Sequence, residues 1–312
     1  MKLKAIIKPL IFIVVLLALS SFLEGRAQTA SPKIVKITGV RFSYPLVENW
    51  IDQYRKVNPD VQVIIEYRGT QDPSQYDILV EAFEQTEDQK KDRDYSYVAR
   101  YAILPVANSR SEFARTYVVK GLTSQNIKQV FFHDLFADKD KEEVKVPFTT
   151  YTRLQKAACP IVFAKYFKFE QKDIKGKGIA GSDEHLLKAI LRDSTGVSFL
   201  PTPMLYTKTG APIAGLTPIP VDLNGNDRIS DDEKFVSSRV TAIQQLSAAN
   251  AKDIHNVPID YIHLSVNKKT ASPEALSFIR WVVDNGLGDL NEFGYLPSDR
   301  IEKHPPTEKH QP

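Results

Sequence analysis

Residues 32–67 constrain the fold more than any other stretch. "PKIVKITGV" (32–40) is an apolar run bounded by Pro32 and Gly39, the pattern of a buried strand. "PLVENWIDQYRKV" (45–57) follows, with Leu46, Trp50, Ile51, Tyr54 and Val57 on one face of a helix and Glu48, Asp52, Arg55 and Lys56 off it. Asn58-Pro59-Asp60 stops the helix, and "VQVIIEY" (61–67) is a second strand. A strand, a helix and a strand in immediate succession call for parallel pairing through a right-handed crossover. The chain is therefore expected to build a partly parallel sheet with helices packed on it.

The remaining elements fit that scheme. "YVARYAILPVAN" (97–108) is a further β-rich run. "LTSQNIKQVFF" (122–132) starts a helix with Thr123 as cap and with Leu122 and Ile127 placed as a hydrophobic staple. "SDEHLLKAILRD" (182–193) has Ser182 as cap and early acids, and the breaker Ser194-Thr195-Gly196 precedes a strand at "VSFLP". "SPEALSFIRWVVDNG" (272–286) has Ser272 as cap, Pro273 at the first helical position and Gly286 at the end. Strands alternate with amphipathic helices, so the class is α/β. There is no internal repeat.

The first 27 residues combine a basic start (Lys2, Lys4, Lys8) with an apolar run broken by Ser20 and Ser21, then Gly25-Arg26-Ala27. This is the pattern of a secretory signal peptide cleaved after Ala27, which implies a periplasmic protein. The alternative is an uncleaved anchor, but the apolar run is shorter than the ~20 residues a spanning helix needs. No cysteine follows the run, so there is no lipoprotein attachment site. The leader's four basic residues against Glu24 account for the whole chain's formal charge of +3. The remaining protein, of about 285 residues, is formally neutral, which removes any electrostatic case for binding nucleic acid or an acidic membrane face. Cys159 is the single cysteine, so no intramolecular disulfide is possible. A chain of this size commonly divides into two lobes. The tail at 302–312 has no apolar periodicity and reads as disordered.

Catalytic constellations are scarce. There is no G-x-S-x-G elbow, Walker loop or H-E-x-x-H helix, and the six histidines are scattered without metal-ligand spacing. His185, in the first turn of its helix, is most simply solvated surface. Cys159, beside Pro160 at an apolar helix start, reads as a small packed residue rather than a nucleophile. What the chain does offer is strand-to-helix turns, whose free N–H groups and partial positive charge suit an anion. "TGVRFSYP" (38–45) is one such turn. "YTRLQKAACP" (151–160), with Arg153 and Lys156, is another. An arginine there can clamp an oxyanion with two charge-assisted bonds. The competing reading is two ordinary turns with Arg153 as a surface charge.

Four segments, in order, resemble the periplasmic phosphate-binding proteins of ABC transporters. "ITGVRFSYPLVENWIDQYRKVNPDVQVIIEYRGT" is similar to that family's opening strand, ligand turn, helix and second strand. "GLTSQNIKQVFF", "TGVSFLP" and "FIRWVVDNGLGDLNEFGYLP" resemble its later segments. The resemblance runs from about residue 34 to residue 300. It implies a two-lobed periplasmic-binding-protein fold (type II-like) with hinge strands, lobe one from 31–104 plus 264–301 and lobe two from 105–263. It also implies a monomer that hands its ligand to an inner-membrane ABC permease. Carried over by motif, the oxyanion ligands fall on Ser43 and Tyr44, on Gly69 and Thr70, on Arg153, and on the helix start Ala157, Ala158 and Cys159. The last segment departs from the family's Gly-Ser-Gly-Thr pattern, and two hydroxyl donors are gone. The family's cleft aspartate falls on Ala82, with Glu81 beside it, so Glu81 or Asp77 is expected to supply the carboxylate that accepts the proton of hydrogen phosphate.

One motif stands apart. "DLNGNDRISDDE" (222–233) places Asp222, Asn224, Asn226, Ser230 and Glu233 at positions one, three, five, nine and twelve of an EF-hand loop. The carbonyl of Arg228 would serve at position seven. Asp227 replaces the usual glycine at position six, where the backbone must be left-handed. The preceding "PIAGLTPIPV" is not helical, so calcium is expected as a structural brace of lobe two, not as a sensor. The competing reading is a solvated Asn/Asp-rich turn.

The leading expectation is thus a non-enzymatic solute-binding protein that closes on a small oxyanion, phosphate first, with no required cofactor and a structural calcium ion as an option. The alternative is a calcium-binding surface or interaction protein on the same fold that has lost transport. A secreted hydrolase ranks last.

Overall fold

The computed structural model describes residues 33–69, 72–133, 144–248 and 253–300. The leader, the tail from 302 and Thr70 lie outside them. Lobe one opens with β1 (Lys33–Gly39), α1 (Tyr44–Val57), β2 (Val61–Ile65), β3 (Ile78–Glu81), the short α2 (Glu87–Lys90) and the long β4 (Arg93–Asn108). There follow α3 (Glu112–Lys120), α4 (Ser124–Phe131), β5 (Thr149–Arg153), α5 (Ala158–Tyr166), β6 (Lys177–Ile179), α6 (Asp183–Arg192), β7 (Gly196–Pro201), β8 (Leu216–Pro218) and α7 (Arg239–Ala248). β9 (Ile259–Asn267), α8 (Pro273–Asn285) and β10 (Leu296–Pro297) complete the chain's described elements.

The strands form one mixed sheet in the order β2-β1-β3-β9-β4-β7-β5-β6, with β8 and β10 also on β4. β1 lies parallel to both β2 and β3, with Ile37 opposite Ile65 on one side and Ile78 on the other. β5 lies parallel to β6 and β7. Two antiparallel strands, β4 and β9, join these parallel groups. β4 pairs with β9 as far as Ala102 opposite Ile259, and from Ile103 opposite Pro201 it pairs with β7. That change of partner marks the junction of the lobes on the outward strand. The return strand crosses beside it, where the Ile103 N–H donates to the Pro258 carbonyl at 2.9 Å.

Helix α1 buries Leu46, Trp50, Ile51 and Tyr54 as its periodicity predicts. Val57, expected on that face, is 61 % exposed: it is the last helical residue, where the chain turns through Asn58 towards β2. Helix α8 packs on α1. The Trp50 indole N–H donates to the Gly286 carbonyl at 2.6 Å, and the Tyr54 ring meets Phe278 and Trp281 edge-on. Both ends of the described chain therefore close lobe one. In lobe two Thr123 caps α4 through the Asn126 N–H, and Leu122 and Ile127 are both buried. Its core is a run of rings, with Phe163 stacked on Phe199 at 3.9 Å and Phe132 on Phe169 at 4.3 Å. Among the described residues no helix is long and apolar enough to cross a membrane.

Candidate functional site

A cleft of about 530 Å³ opens where the two lobes face each other, at the carboxyl ends of β1, β3 and β5. β1 ends on Gly39, whose φ is 141° and whose Cα leaves no room for a side chain: an added Cβ would stand 2.0 Å from the Val80 carbonyl. This close approach turns the chain into one 3₁₀ turn, Arg41–Ser43, and then into α1. On the other wall β5 runs through Arg153 and Lys156 to α5, with Ala157 as its N-cap. Neither helix start has a side-chain cap. At α1 the Ser43 and Tyr44 N–H groups are taken by the Val40 and Arg41 carbonyls and Pro45 has none, so on lobe one it is the turn at Val40 and Arg41 that faces the cleft. The start of α6, Gly181 to Asp183, completes the opposite wall.

Arg41, Arg153 and Lys156 bring positive charge to the cleft, and Glu81 and Asp183 bring negative charge. Arg153 is committed within its own lobe. One terminal nitrogen donates to Asp183 Oδ1 at 2.6 Å and the other to the Gly181 carbonyl, while Nε is buried without a partner. The Arg153 and Asp183 side chains are only 12 % and 9 % exposed. Burial pushes the Asp183 carboxyl up, against the pull of Arg153. On the lobe-one side Glu81 accepts from Ser265 Oγ at 2.6 Å and from the Gln85 amide at 2.8 Å. Burial raises its carboxyl too, opposed by those bonds and by Arg93. His185 is exposed, as the sequence suggests, but its Nδ1 also accepts from the Ser182 N–H and so closes the cap of α6.

Of the residues singled out in the sequence, Gly69, Glu81, Ala82, Arg153, Lys156, Ala157, Ala158 and His185 line the cleft. Ser43 and Tyr44 stand behind it. Their hydroxyls donate to the Val40 and Gly39 carbonyls at 2.7 and 3.1 Å and so hold the turn in shape. Cys159 is buried in the first turn of α5, and burial raises its thiol well above the usual range. Thr70 falls outside the described residues. Asp77 lies at the far end of β3, where its carboxylate accepts from the Lys36 N–H at 2.8 Å. Ala82 is buried, with its carbonyl taken by the Tyr101 hydroxyl at 2.5 Å. Sequence reasoning missed Arg41 and Asp183. Arg41 sits inside a quoted ligand turn and was legible there. Asp183 looks like any first-turn acid until the fold brings it to Arg153.

The loop at 222–233 lies in lobe two, outside the cleft lining. Asp222, 0 % exposed, accepts from the backbone N–H groups of Gly225, Asn226 and Asp227 at 2.8–3.1 Å. Asn224 Oδ1 accepts from the Asn226 N–H, and Asn226 Oδ1 from the Arg228 N–H. Glu233 accepts from the N–H groups of Leu223 and Asn224 and from both the N–H and hydroxyl of Ser230. Burial raises the Glu233 carboxyl, but those bonds more than offset it, and it lies below its ordinary range. Asp227 adopts φ 60°, the left-handed backbone that position six requires. A 3₁₀ turn, Asp231–Glu233, follows in place of a long helix. Among the described residues no group of three or more His, Cys, Asp or Glu side chains is gathered to hold a metal ion.

No protein-family model matches the chain, and no curated protein matches it. Solved structures do. A protein from Clostridium perfringens, described as a phosphate ABC transporter substrate-binding protein and holding phosphate, superposes with a TM-score of 0.61 at 12 % identity, over 85 % of this chain and 100 % of that one. An ABC-type phosphate transport receptor from Vibrio cholerae superposes with a TM-score of 0.54 at 10 % identity, over 85 % and 100 %. At these identities the likeness is one of fold. The chain has the two-lobed, type II-like periplasmic-binding-protein fold that its sequence segments resemble.

Proposed function

We propose that this protein is an extracytoplasmic solute-binding protein that captures a small oxyanion, phosphate first, in the cleft between its lobes. One observation carries the reading: the turn at Val40 and Arg41 from one lobe and the uncapped start of α5 from the other face a single cleft together with Arg153 and Lys156. A ligand held by both lobes favours the closed arrangement, and hinge motion about β4 and β9 follows from that difference in contacts. The preference for phosphate rests on Glu81 and Asp183. A carboxylate in the cleft accepts the proton of hydrogen phosphate and repels fully ionised sulfate. An inner-membrane ABC permease would be the receiving partner and the binding protein a monomer. The signal-like leader and the fold of the two neighbours support export.

Calorimetry of the protein with phosphate, sulfate, molybdate and small carboxylates tests this. Phosphate should bind most tightly, and Arg41→Ala with Lys156→Ala should weaken it at least about tenfold. Absence of saturable heat from every anion would overturn the reading. A calcium ion bracing lobe two at 222–233 is a separate proposal, supported by the left-handed Asp227 at the sixth position. A calcium response with no anion binding would favour the surface-protein alternative.

A further inference from the structure

A second cavity, of about 600 Å³, shares no lining residue with the cleft. Its walls are Ser124 and Lys128 of α4, the end of α5 from Lys165 to Lys168, and the segment His255 to Asp260 that leads into β9. Lys128, Lys165 and Lys168 face it with His255, against the single carboxylate of Asp260. None of these three ammonium groups has an ion-pair or hydrogen-bond partner among the described residues. Lys165 stands close enough to Asp260 to favour its ionised form.

The walls are held in unusual backbone. Among the described residues three that are not glycine have positive φ: Lys168 at 69°, Asn256 at 61° and Asp227 at 60°. Two of them line this cavity. The third belongs to the 222–233 loop, which braces two of the walls. The His255 N–H donates to the Leu223 carbonyl and the buried Asn256 side chain to the Asp222 carbonyl, each at 2.7 Å. The Asp222 N–H in turn donates to the Leu122 carbonyl, just before α4. Left-handed conformations in residues with side chains are strained and persist where the surroundings impose them. Here they shape a cationic cavity on the strand that returns between the lobes.

We propose that this cavity is a second anion site, taking a small multivalent anion at the return hinge. Three lysines against one carboxylate leave an excess of positive charge that a single negative charge would not balance. Lysines on flexible stems can converge on a di- or trianion whether its oxygens belong to phosphate or to carboxylate groups. The site is independent of the cleft, and its existence does not require the cleft to bind phosphate.

Calorimetry of the full protein at fixed ionic strength, with inorganic pyrophosphate and with citrate, tests the proposal and separates the two ligand chemistries. At least one should bind with saturation. Lys165→Ala with Lys168→Ala should weaken it about tenfold or more, Lys165→Arg with Lys168→Arg should retain it, and Arg41→Ala with Lys156→Ala should leave it unchanged. Both lysines are exposed, so folding of the variants is checked simply by an unchanged melting temperature. The proposal fails if neither anion binds, if the lysine variant binds as the parent does, or if binding disappears with the cleft variant.

Discussion

Arg153 shows what one residue's surroundings add to its identity. The motif places it in the cleft. Its partner Asp183, thirty residues further on, determines what it can do there. Removing one member of a nearly buried ion pair strands the other, at a cost of about 3–5 kcal/mol. Arg153→Ala should therefore lower unfolding stability by that order, and Arg153→Ala with Asp183→Ala should recover most of it in denaturant titrations. Asp183→Asn should cost less than Arg153→Ala, because the amide oxygen still accepts from Arg153, and it should tighten sulfate binding, read by calorimetry, because it removes a repelling charge. If the double variant is no more stable than Arg153→Ala, the arginine acts through packing rather than through the pair. Arg153 and the helix start at Ala157 and Ala158 lie in a strand-to-helix turn that the sequence marks out, whereas Gly69 entered only through the family resemblance. Asp183 was not legible, since nothing local distinguishes it from a helix-start acid.

At the scale of elements the same division holds. Helix α1 carries its periodicity and its stop in sequence, α4, α6 and α8 their caps as well, and all four form close to the expected limits. The start of β4 at Arg93 was missed, because "RDYS" is polar and becomes a strand only by pairing with β9. β8 and β10 are three- and two-residue strands held by β4 alone, and pairings that distant leave no local signature. The 222–233 loop was legible in outline, but its bonds to residues 122, 255 and 256 were not. Asp222→Ala would take the acceptor from the Gly225 and Asp227 N–H groups, while the Asn226 N–H keeps Asn224, and should cost about 0.5–1.5 kcal/mol per bond lost in denaturant titrations. Calcium is tested on the intact loop. Millimolar calcium should raise the melting temperature of the parent protein but not of Glu233→Ala, and no shift in the parent would leave the loop as a brace made of hydrogen bonds alone.

Across the whole molecule the return strand β9 couples stability to pH. His263, 1 % exposed, lies opposite Glu81 in the sheet register with Nε2 3.9 Å from its carboxylate. It packs against Tyr95 and Tyr97, and neither ring nitrogen has a hydrogen-bond partner. Burial pushes its pKa down to about 4, with Glu84 and Lys90 the nearby charges. An unfolded histidine takes up its proton near 6.5, so as pH falls from there to about 4 the unfolded state gains a proton that the native state refuses. The native protein then loses stability on the order of 3 kcal/mol. Asp260, on the same strand, acts in the opposite sense. Burial raises it to about 6, with Glu84 adding to the rise and Lys165 and Arg300 opposing it. The native state thus holds a proton below pH 6 that the unfolded chain releases until about 3.8, and stability is gained over that fall. Glu81, also raised by burial, contributes with the same sign. The two effects oppose each other across one window, so the parent protein should show a shallow slope. Urea midpoints measured from pH 7 to pH 4.5 should rise for His263→Phe, which retains only the carboxyl contributions, and fall steeply for Asp260→Asn, which exposes the histidine. Parallel slopes in the two variants would mean that β9 does not set the acid response and that it arises elsewhere in the fold.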